Sequence, residues 1–167
     1  MNTILIPEFK IQKRVREIAS EISQKHIDSG NPYPPVLICI LNGAFMFFSD
    51  IIKNTDIDVE VDFIRVKSYH GKDNTGGVTI LKNFENDLTG KNVFIIEDIV
   101  DTGNTMQEIM LSLAGESPHD IYLVTLLRRK DSEHPVDFNA FEINDEFVFG
   151  YGLDDNGLKR NYRNIYY

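Results

Sequence analysis

The chain has 167 residues, the length of one ordinary domain, and reads as a single domain over residues 1–167. Hydrophobic residues at 42% and charged residues at 26% are the proportions of a globular protein, which excludes wholesale disorder and collagen-like repeats. With 17 basic residues against 26 acidic ones the net charge is -9, so binding to a long nucleic acid by phosphate neutralisation is not expected.

Residues 9–28 carry Ile11, Val15, Ile18 and Ile22 at helical spacing, with Lys13, Arg14, Glu17 and Glu21 on other faces. That pattern predicts an amphipathic helix. Pro32, Pro34 and Pro35 then make a rigid turn. The run Val36-Leu37-Ile38-Cys39-Ile40-Leu41 is apolar throughout, as suits a strand buried on both faces of a parallel sheet. Asn42-Gly43 breaks it, and residues 44–53 read as a helix. Ile57, Val59, Val61 and Phe63 alternate with Asp58, Glu60 and Asp62, which predicts a strand with one wet face near a sheet edge.

Residues 68–77 are polar and glycine-bearing, hence a loop; residues 78–81 read as a short strand and Leu88-Thr89-Gly90-Lys91 as a turn. Val93-Phe94-Ile95-Ile96 is a second buried strand, followed by a loop and a helix over about residues 104–114, with Gly115 as its stop. Residues 121–127 form a third apolar strand. Residues 140–143 and 147–151 are short strand candidates. Strands alternating with helices predict an α/β fold with a mainly parallel sheet.

The longest apolar runs fall far short of the ~20 residues that span a bilayer. The N-terminus carries no basic stretch ahead of an apolar one, so no signal peptide and no membrane partner is expected, and a cytoplasmic location is the simplest expectation. The lone cysteine, Cys39, excludes an intrachain disulfide and a cysteine zinc cluster, and its place in a buried strand makes it packing.

The informative segment is Val93-Phe94-Ile95-Ile96-Glu97-Asp98-Ile99-Val100-Asp101-Thr102-Gly103-Asn104-Thr105. An apolar strand runs into two adjacent acids, then a loop of small hydrogen-bonding residues, then a helix. Ligands of open α/β sheets sit beyond the carboxyl ends of the strands. A helix N-terminus there offers unpaired N–H groups and a positive dipole end. Thr102 and Thr105 add hydroxyls, and Gly103 lets backbone approach a ligand, which makes a phosphate cradle. Carboxylates would repel a phosphate, so Glu97 and Asp98 call for another partner: sugar hydroxyls or a magnesium ion. Asp101, inside the loop, has the chemistry of a base or an orienting group. Taken alone, Asp-Thr-Gly is an ordinary N-cap and turn; the thirteen-residue string is far more specific. No Gly-x4-Gly-Lys-Ser/Thr occurs, so it is not a Walker loop.

That string closely resembles the phosphoribosyl pyrophosphate signature of the type I phosphoribosyltransferases. Three further segments, in the family's order, are similar to its hypoxanthine (hypoxanthine-guanine) purine-salvage branch. Leu41-Asn42-Gly43-Ala44 is similar to the first loop, which binds pyrophosphate. Ser68-Tyr69 is similar to the mobile loop that closes over the active site. Phe147-Val148-Phe149-Gly150-Tyr151-Gly152-Leu153-Asp154 is similar to the purine-pocket strand. The resemblance spans nearly the whole chain.

It implies a five-stranded, mainly parallel core sheet flanked by helices, with a small hood built from the chain ends. It implies magnesium-dependent transfer of the phosphoribosyl group from phosphoribosyl pyrophosphate to a 6-oxopurine, hypoxanthine and also guanine, giving the purine mononucleotide and pyrophosphate. It also implies a homodimer or homotetramer. By the same resemblance Glu97 and Asp98 face the ribose hydroxyls and the metal, and Asp101 faces N7 of the purine. Residues Asp101, Thr102, Gly103, Asn104 and Thr105 wrap the 5'-phosphate. Leu41, Asn42, Gly43 and Lys67 are the further phosphate and pyrophosphate contacts. Ser68 and Tyr69 belong to the lid. Phe147 stacks on the base, the Val148 backbone reads its edge, and Asp154 and Arg160 lie near the metal and pyrophosphate.

The chain departs from the family in three places. Asn42 stands where the first loop usually carries lysine. Arg129, in Leu126-Leu127-Arg128-Arg129-Lys130, replaces the lysine that contacts the purine's exocyclic oxygen. Asp155 follows Asp154 where a tyrosine is common. Outside these segments the residues read plainly. His70, His119 and His134 lie among polar neighbours at the surface, and His26 ends the first helix. The Phe45-Met46-Phe47-Phe48 cluster is helix packing, part of it available to a subunit interface.

Two other classes compete with a salvage enzyme. A phosphoribosyltransferase-fold regulator would need a nucleic-acid-binding surface, against a net charge of -9. A phosphotransfer receiver domain also uses acids at strand ends, but leaves Phe147 to Asp154 unexplained.

Overall fold

The computed structural model describes residues 2–69, 77–101, 104–113 and 115–167. In chain order the elements are β1 (Ile4–Ile6), α1 (Glu8–Ser29), β2 (Val36–Leu41), α2 (Phe45–Asn54), β3 (Glu60–Tyr69), β4 (Gly77–Lys82), β5 (Asn92–Val100), α3 (Asn104–Leu113), β6 (Asp120–Arg129), β7 (Phe138–Ile143) and β8 (Ile165–Tyr166). Six strands form one sheet in the order β4-β3-β2-β5-β6-β7. Five of them are parallel, and β4 is added antiparallel to β3 at the edge. The chain ends meet in the separate antiparallel pair β1–β8, the expected hood.

The uninterrupted apolar runs are explained by two cores, one on each face of the sheet. In β2, Leu37 and Cys39 pack under α1 and α2, while Val36, Ile38 and Ile40 face the other core, beneath α3. In β5, Phe94 and Ile96 go to the first core, and Val93 and Ile95 to the second. A strand covered on both sides has no position at which water would reward a polar residue. Helix α1 buries the predicted stripe Ile11, Val15, Ile18 and Ile22.

Two expectations are corrected. Residues 147–151 do not form a strand; Phe149 and Gly150 make only isolated bridges, to Tyr166 and Leu153. The backbone turns through positive φ at Gly150, Tyr151 and Gly152 (97°, 51° and 101°), which is incompatible with a ladder. Of the loop expected over residues 68–77, both ends belong to strands, because Ser68 pairs with Val78 and Tyr69 with Gly77; residues 70–76 lie outside the described residues.

Strand β3 lies one place from the sheet edge, as expected, but its burial runs against its polarity. Asp62 is 4% exposed, whereas Val61 and Phe63 are 42% and 37% exposed. The Asp62 carboxylate is sustained by amide donors: Phe63 N–H at 2.7 Å, Glu85 N–H at 2.6 Å and Asn86 N–H at 2.8 Å. Buried charge is tolerated where hydrogen bonds replace water.

Candidate active site

The strand order reverses between β2 and β5. The connection leaving β2 runs through α2 to β3 on one side, and that leaving β5 runs through α3 to β6 on the other. The two helices cover opposite faces, so a crevice opens at the carboxyl ends of β2 and β5, where ligands of open α/β sheets bind. A cleft of about 350 Å³ occupies this place, lined by Leu41, Asn42, Gly43, Glu97, Asp98, Thr105, Asp154 and Arg160 together with Ile40, Val66 and Ile99. Residues 56 positions apart in sequence, Leu41 and Glu97, thus share one wall, and the C-terminal segment brings Asp154 and Arg160.

The first loop and the C-terminal segment meet through two glycines. Gly43 leaves no room for a Cβ against the Asp98 carboxylate, and Gly152, at φ 101°, leaves none against the Gly43 carbonyl. The Leu41–Asn42 peptide bond is cis.

The charges are arranged in two groups. Arg160 Nη1 donates to the Gly152 carbonyl at 2.6 Å, and its Nη2 donates to Asp154 Oδ1 at 2.6 Å. Gly157 N–H donates to Asp154 Oδ2 at 2.8 Å. Opposite stand Glu97 and Asp98. Burial, then the neighbouring Asp98 charge, pushes the Glu97 carboxyl well above the usual range. Burial also raises Asp98, although hydrogen bonds from Glu97 and the Ile99 N–H, and the nearby Arg160 charge, pull the other way. The pair therefore forms a desolvated acidic site that gains from any ligand hydroxyl or cation. Cys39 behaves as packing: burial, with the Glu97 and Asp98 charges, pushes its thiol up to about 12.

No group of three or more His, Cys, Asp or Glu side chains converges as a metal cage among the described residues. Mg²⁺ serving a phosphate substrate is typically held by one or two carboxylates plus substrate oxygens and water. Glu97 and Asp98 are a donor set of that kind.

The other expected residues whose side chains are described do not line this cleft. Asp101 opens on a neighbouring recess of about 420 Å³ lined by Asp131, Ser132, Glu133, His134 and Pro135. Phe147 is 64% exposed with its ring tilted against that of Phe149, centroids 6.5 Å apart, while Val148 is buried at 6%. Arg129 Nη1 donates to the carbonyls of Asn144 and, at 2.9 Å, Glu146, so this side chain grips the backbone immediately before Phe147. Asn104 opens α3. Lys67, Ser68 and Tyr69 lie on β3 by backbone pairing; their side chains, and Thr102 and Gly103, lie outside the described residues.

Sequence reasoning missed two features. One is Ser132, whose Oγ donates to the Asp101 carbonyl at 2.6 Å; a lone serine in a polar loop carries no signal. The other is Asp50 on α2, which accepts hydrogen bonds from Tyr151 Oη at 2.7 Å and Gln12 Nε2 at 2.8 Å. It anchors the C-terminal segment to α1 and α2.

The phosphoribosyl transferase domain family matches residues 7–156. Hypoxanthine phosphoribosyltransferase of Escherichia coli (strain K12) is 38% identical over 168 residues, covering 98% of this chain and 92% of that protein. Hypoxanthine-guanine-xanthine phosphoribosyltransferase of Tritrichomonas foetus is 34% identical over 165 residues, covering 96% and 88%. Among solved structures, a hypoxanthine phosphoribosyltransferase from Staphylococcus aureus superimposes with a TM-score of 0.89 at 35% identity, covering 98% of this chain and 89% of that one.

Proposed function

We infer the work of each residue from one premise: the chain belongs to the hypoxanthine(-guanine) phosphoribosyltransferases of the type I phosphoribosyltransferase family. It is a purine-salvage enzyme that transfers the phosphoribosyl group from phosphoribosyl pyrophosphate to 6-oxopurines. The observation that carries the site assignment is the cleft itself. It gathers the first-loop residues Leu41, Asn42 and Gly43, the acids Glu97 and Asp98, and the Asp154–Arg160 pair at the strand-order reversal.

The chemistry separates charge. The anomeric C–O bond breaks with its electron pair leaving on pyrophosphate, positive charge builds on the ribose, and the purine nitrogen bonds to the same carbon. Glu97 and Asp98 accept hydrogen bonds from the ribose hydroxyls and face the developing positive charge. Arg160, held by Asp154 and the Gly152 carbonyl, offers its remaining guanidinium N–H groups to the departing pyrophosphate, alongside the backbone of Leu41, Asn42 and Gly43. Lys67 adds a cation on β3. Family members use Mg²⁺ with phosphoribosyl pyrophosphate; bound beside Glu97 and Asp98 it would supply Lewis-acid charge to the leaving group. Asp154, whose oxygens accept bonds from Arg160 and Gly157, acts mainly by holding the Arg160 guanidinium, and would lie beside the metal.

Residues 101–105 enclose the 5'-phosphate at the start of α3, where a helix N-terminus favours an anion. Asp101 takes the proton from purine N7 as the new glycosidic bond forms. Phe147 stacks on the base, the Val148 backbone reads its edge, and Arg129 donates toward the 6-oxo group while shaping the pocket. Ser68 and Tyr69, at the end of β3 where its pairing with β4 stops, cover the reacting ribose and exclude water.

The exposed apolar side chains Phe45 and Val61 support a contact with a second copy of the chain, as in a homodimer or homotetramer. One assay tests the substrate class. The protein is incubated with phosphoribosyl pyrophosphate, Mg²⁺ and each of hypoxanthine, guanine, xanthine, adenine and uracil, and nucleotide formation is followed. Turnover is expected with 6-oxopurines, is lost in chelator and returns with Mg²⁺. Turnover with adenine or uracil alone overturns the reading.

A further inference from the structure

Ser132 lies in the turn that follows β6, and its Oγ donates a 2.6 Å hydrogen bond to the Asp101 carbonyl oxygen. Asp101 is the first residue beyond the parallel ladder, which ends with Val100 opposite Arg128. The serine hydroxyl there takes the place of a ladder donor. Its own position is fixed from several directions. The Ser132 N–H donates to the Arg129 carbonyl at 3.1 Å, and Arg128 Nη2 donates to the Ser132 carbonyl at 3.0 Å. The His134 N–H reaches Ser132 Oγ at 3.4 Å, so the oxygen accepts from one side and is left to donate toward Asp101.

The turn is tied to the purine segment as well. Lys130 N–H donates to the Ile143 carbonyl at 3.0 Å, and Arg129 Nη1 donates to the Asn144 and Glu146 carbonyls just ahead of Phe147. A continuous series of hydrogen bonds therefore joins Asp101, through Ser132 and Arg129, to the backbone just ahead of Phe147. The Asp101 side chain is exposed, and its carboxylate hangs from the backbone whose carbonyl Ser132 holds. A reacting group misplaced by about 1 Å can lose 10²-fold in rate.

We propose that Ser132 is a positioning residue for phosphoribosyl transfer: by holding the Asp101 carbonyl it aims the Asp101 carboxylate at the purine and ties that aim to the turn carrying Arg129. The proposal rests on Asp101 exchanging a proton with the base. Its test is steady-state kinetics with hypoxanthine for Ser132→Ala, Ser132→Thr, Ser132→Cys, Asp101→Asn and the double variant S132A/D101N, with thermal melts alongside. Ser132→Ala should lower kcat about tenfold, with the KM for phosphoribosyl pyrophosphate within about twofold of wild type. Such a loss is a fraction of what full misplacement costs. Ser132→Thr keeps the hydroxyl and should recover most of the loss. Ser132→Cys, a weaker donor of similar size, should lose about as much as alanine, which covers a turn loosened by truncation. In the Asp101→Asn background Ser132→Ala should cost nothing further, because the hydroxyl acts through a carboxylate already removed. Wild-type kcat in Ser132→Ala beside an impaired Asp101→Asn overturns the brace alone, as do additive losses in the double variant. Wild-type kcat in Asp101→Asn overturns the Asp101 role and the brace with it.

Discussion

Gly43 lies against Asp98 so closely that no Cβ fits between its backbone and the Asp98 carboxylate. The first loop can therefore close over the acidic pair only because residue 43 has no side chain. Gly43→Ala must displace either the loop or Asp98, both of which line the cleft. We expect kcat/KM for phosphoribosyl pyrophosphate to fall by about 10²-fold, the scale of a misplaced reacting group, with a lower Tm. Wild-type kinetics would show that the loop shifts at no cost to binding.

Glu97 opposes stability in the free enzyme. Its native carboxyl titrates well above the usual range because of burial and the Asp98 charge. The native state thus binds a proton more readily than the unfolded chain, so the contribution of this group weakens as pH rises from the ordinary carboxylate range through the raised native value. Glu97→Gln removes the titration and keeps an oxygen able to accept the 3.0 Å bond from Asp98 N–H. The Tm advantage of the variant over wild type, measured without ligand by calorimetry between pH 5 and 9, should grow with pH, while affinity for phosphoribosyl pyrophosphate with Mg²⁺ falls. A difference that does not change with pH contradicts the assignment.

Arg129 should govern purine choice. A guanidinium donates and cannot accept, so it suits a 6-oxo group and meets the 6-amino group of adenine donor to donor. Arg129→Ala should raise the KM for hypoxanthine about tenfold or more, by loss of a charged hydrogen bond and of the grip on the Asn144 and Glu146 carbonyls. Lys130→Ala should do little, since Lys130 is exposed and its N–H bond to Ile143 is backbone. A hypoxanthine defect confined to the Lys130 variant shifts the assignment by one residue.

Tyr151 should matter for stability and little for turnover. Its hydroxyl donates to Asp50 at 2.7 Å from a backbone held at φ 51°. Asp50 also accepts from Gln12 and pairs with Lys53 at 2.5 Å, so Tyr151→Phe leaves the carboxylate partnered. A hydrogen bond to a charged group contributes about 1.5–3 kcal/mol, and each kcal/mol moves Tm by about 2–4 °C in a domain of this size. A fall of about 3 °C or more with kcat within twofold is expected; a collapse of kcat at unchanged Tm would assign Tyr151 to the chemistry.

Ser68 and Tyr69 should matter for turnover and little for stability. Replacing both by alanine should slow turnover while leaving Tm nearly unchanged, because a cover over the ribose is needed only while that centre is reactive. A large loss of Tm would make the segment packed structure.

The central strands, the first helix and the family could be read from the residues alone. Residues 36–41 and 93–96 are apolar on both faces because each face meets its own core, and such runs need no knowledge of their neighbours to be read. The string from Glu97 to Thr105 is equally local, since a strand end, a loop and a helix start follow one another along the chain. Tertiary structure decided what depends on segments far apart. Asp62 is buried because the amides of Glu85 and Asn86 reach it from the loop after β4, and alternation along β3 carries no trace of that. The Phe147 segment follows positive-φ geometry instead of a ladder because Gly152 must come against Gly43, more than a hundred residues earlier. The hold of Ser132 on Asp101 and of Asp50 on Tyr151 likewise joins elements through single hydrogen bonds. Periodicity reports which face of an element is covered; it holds no record of which distant side chain will supply a missing donor or take up the space of a missing Cβ.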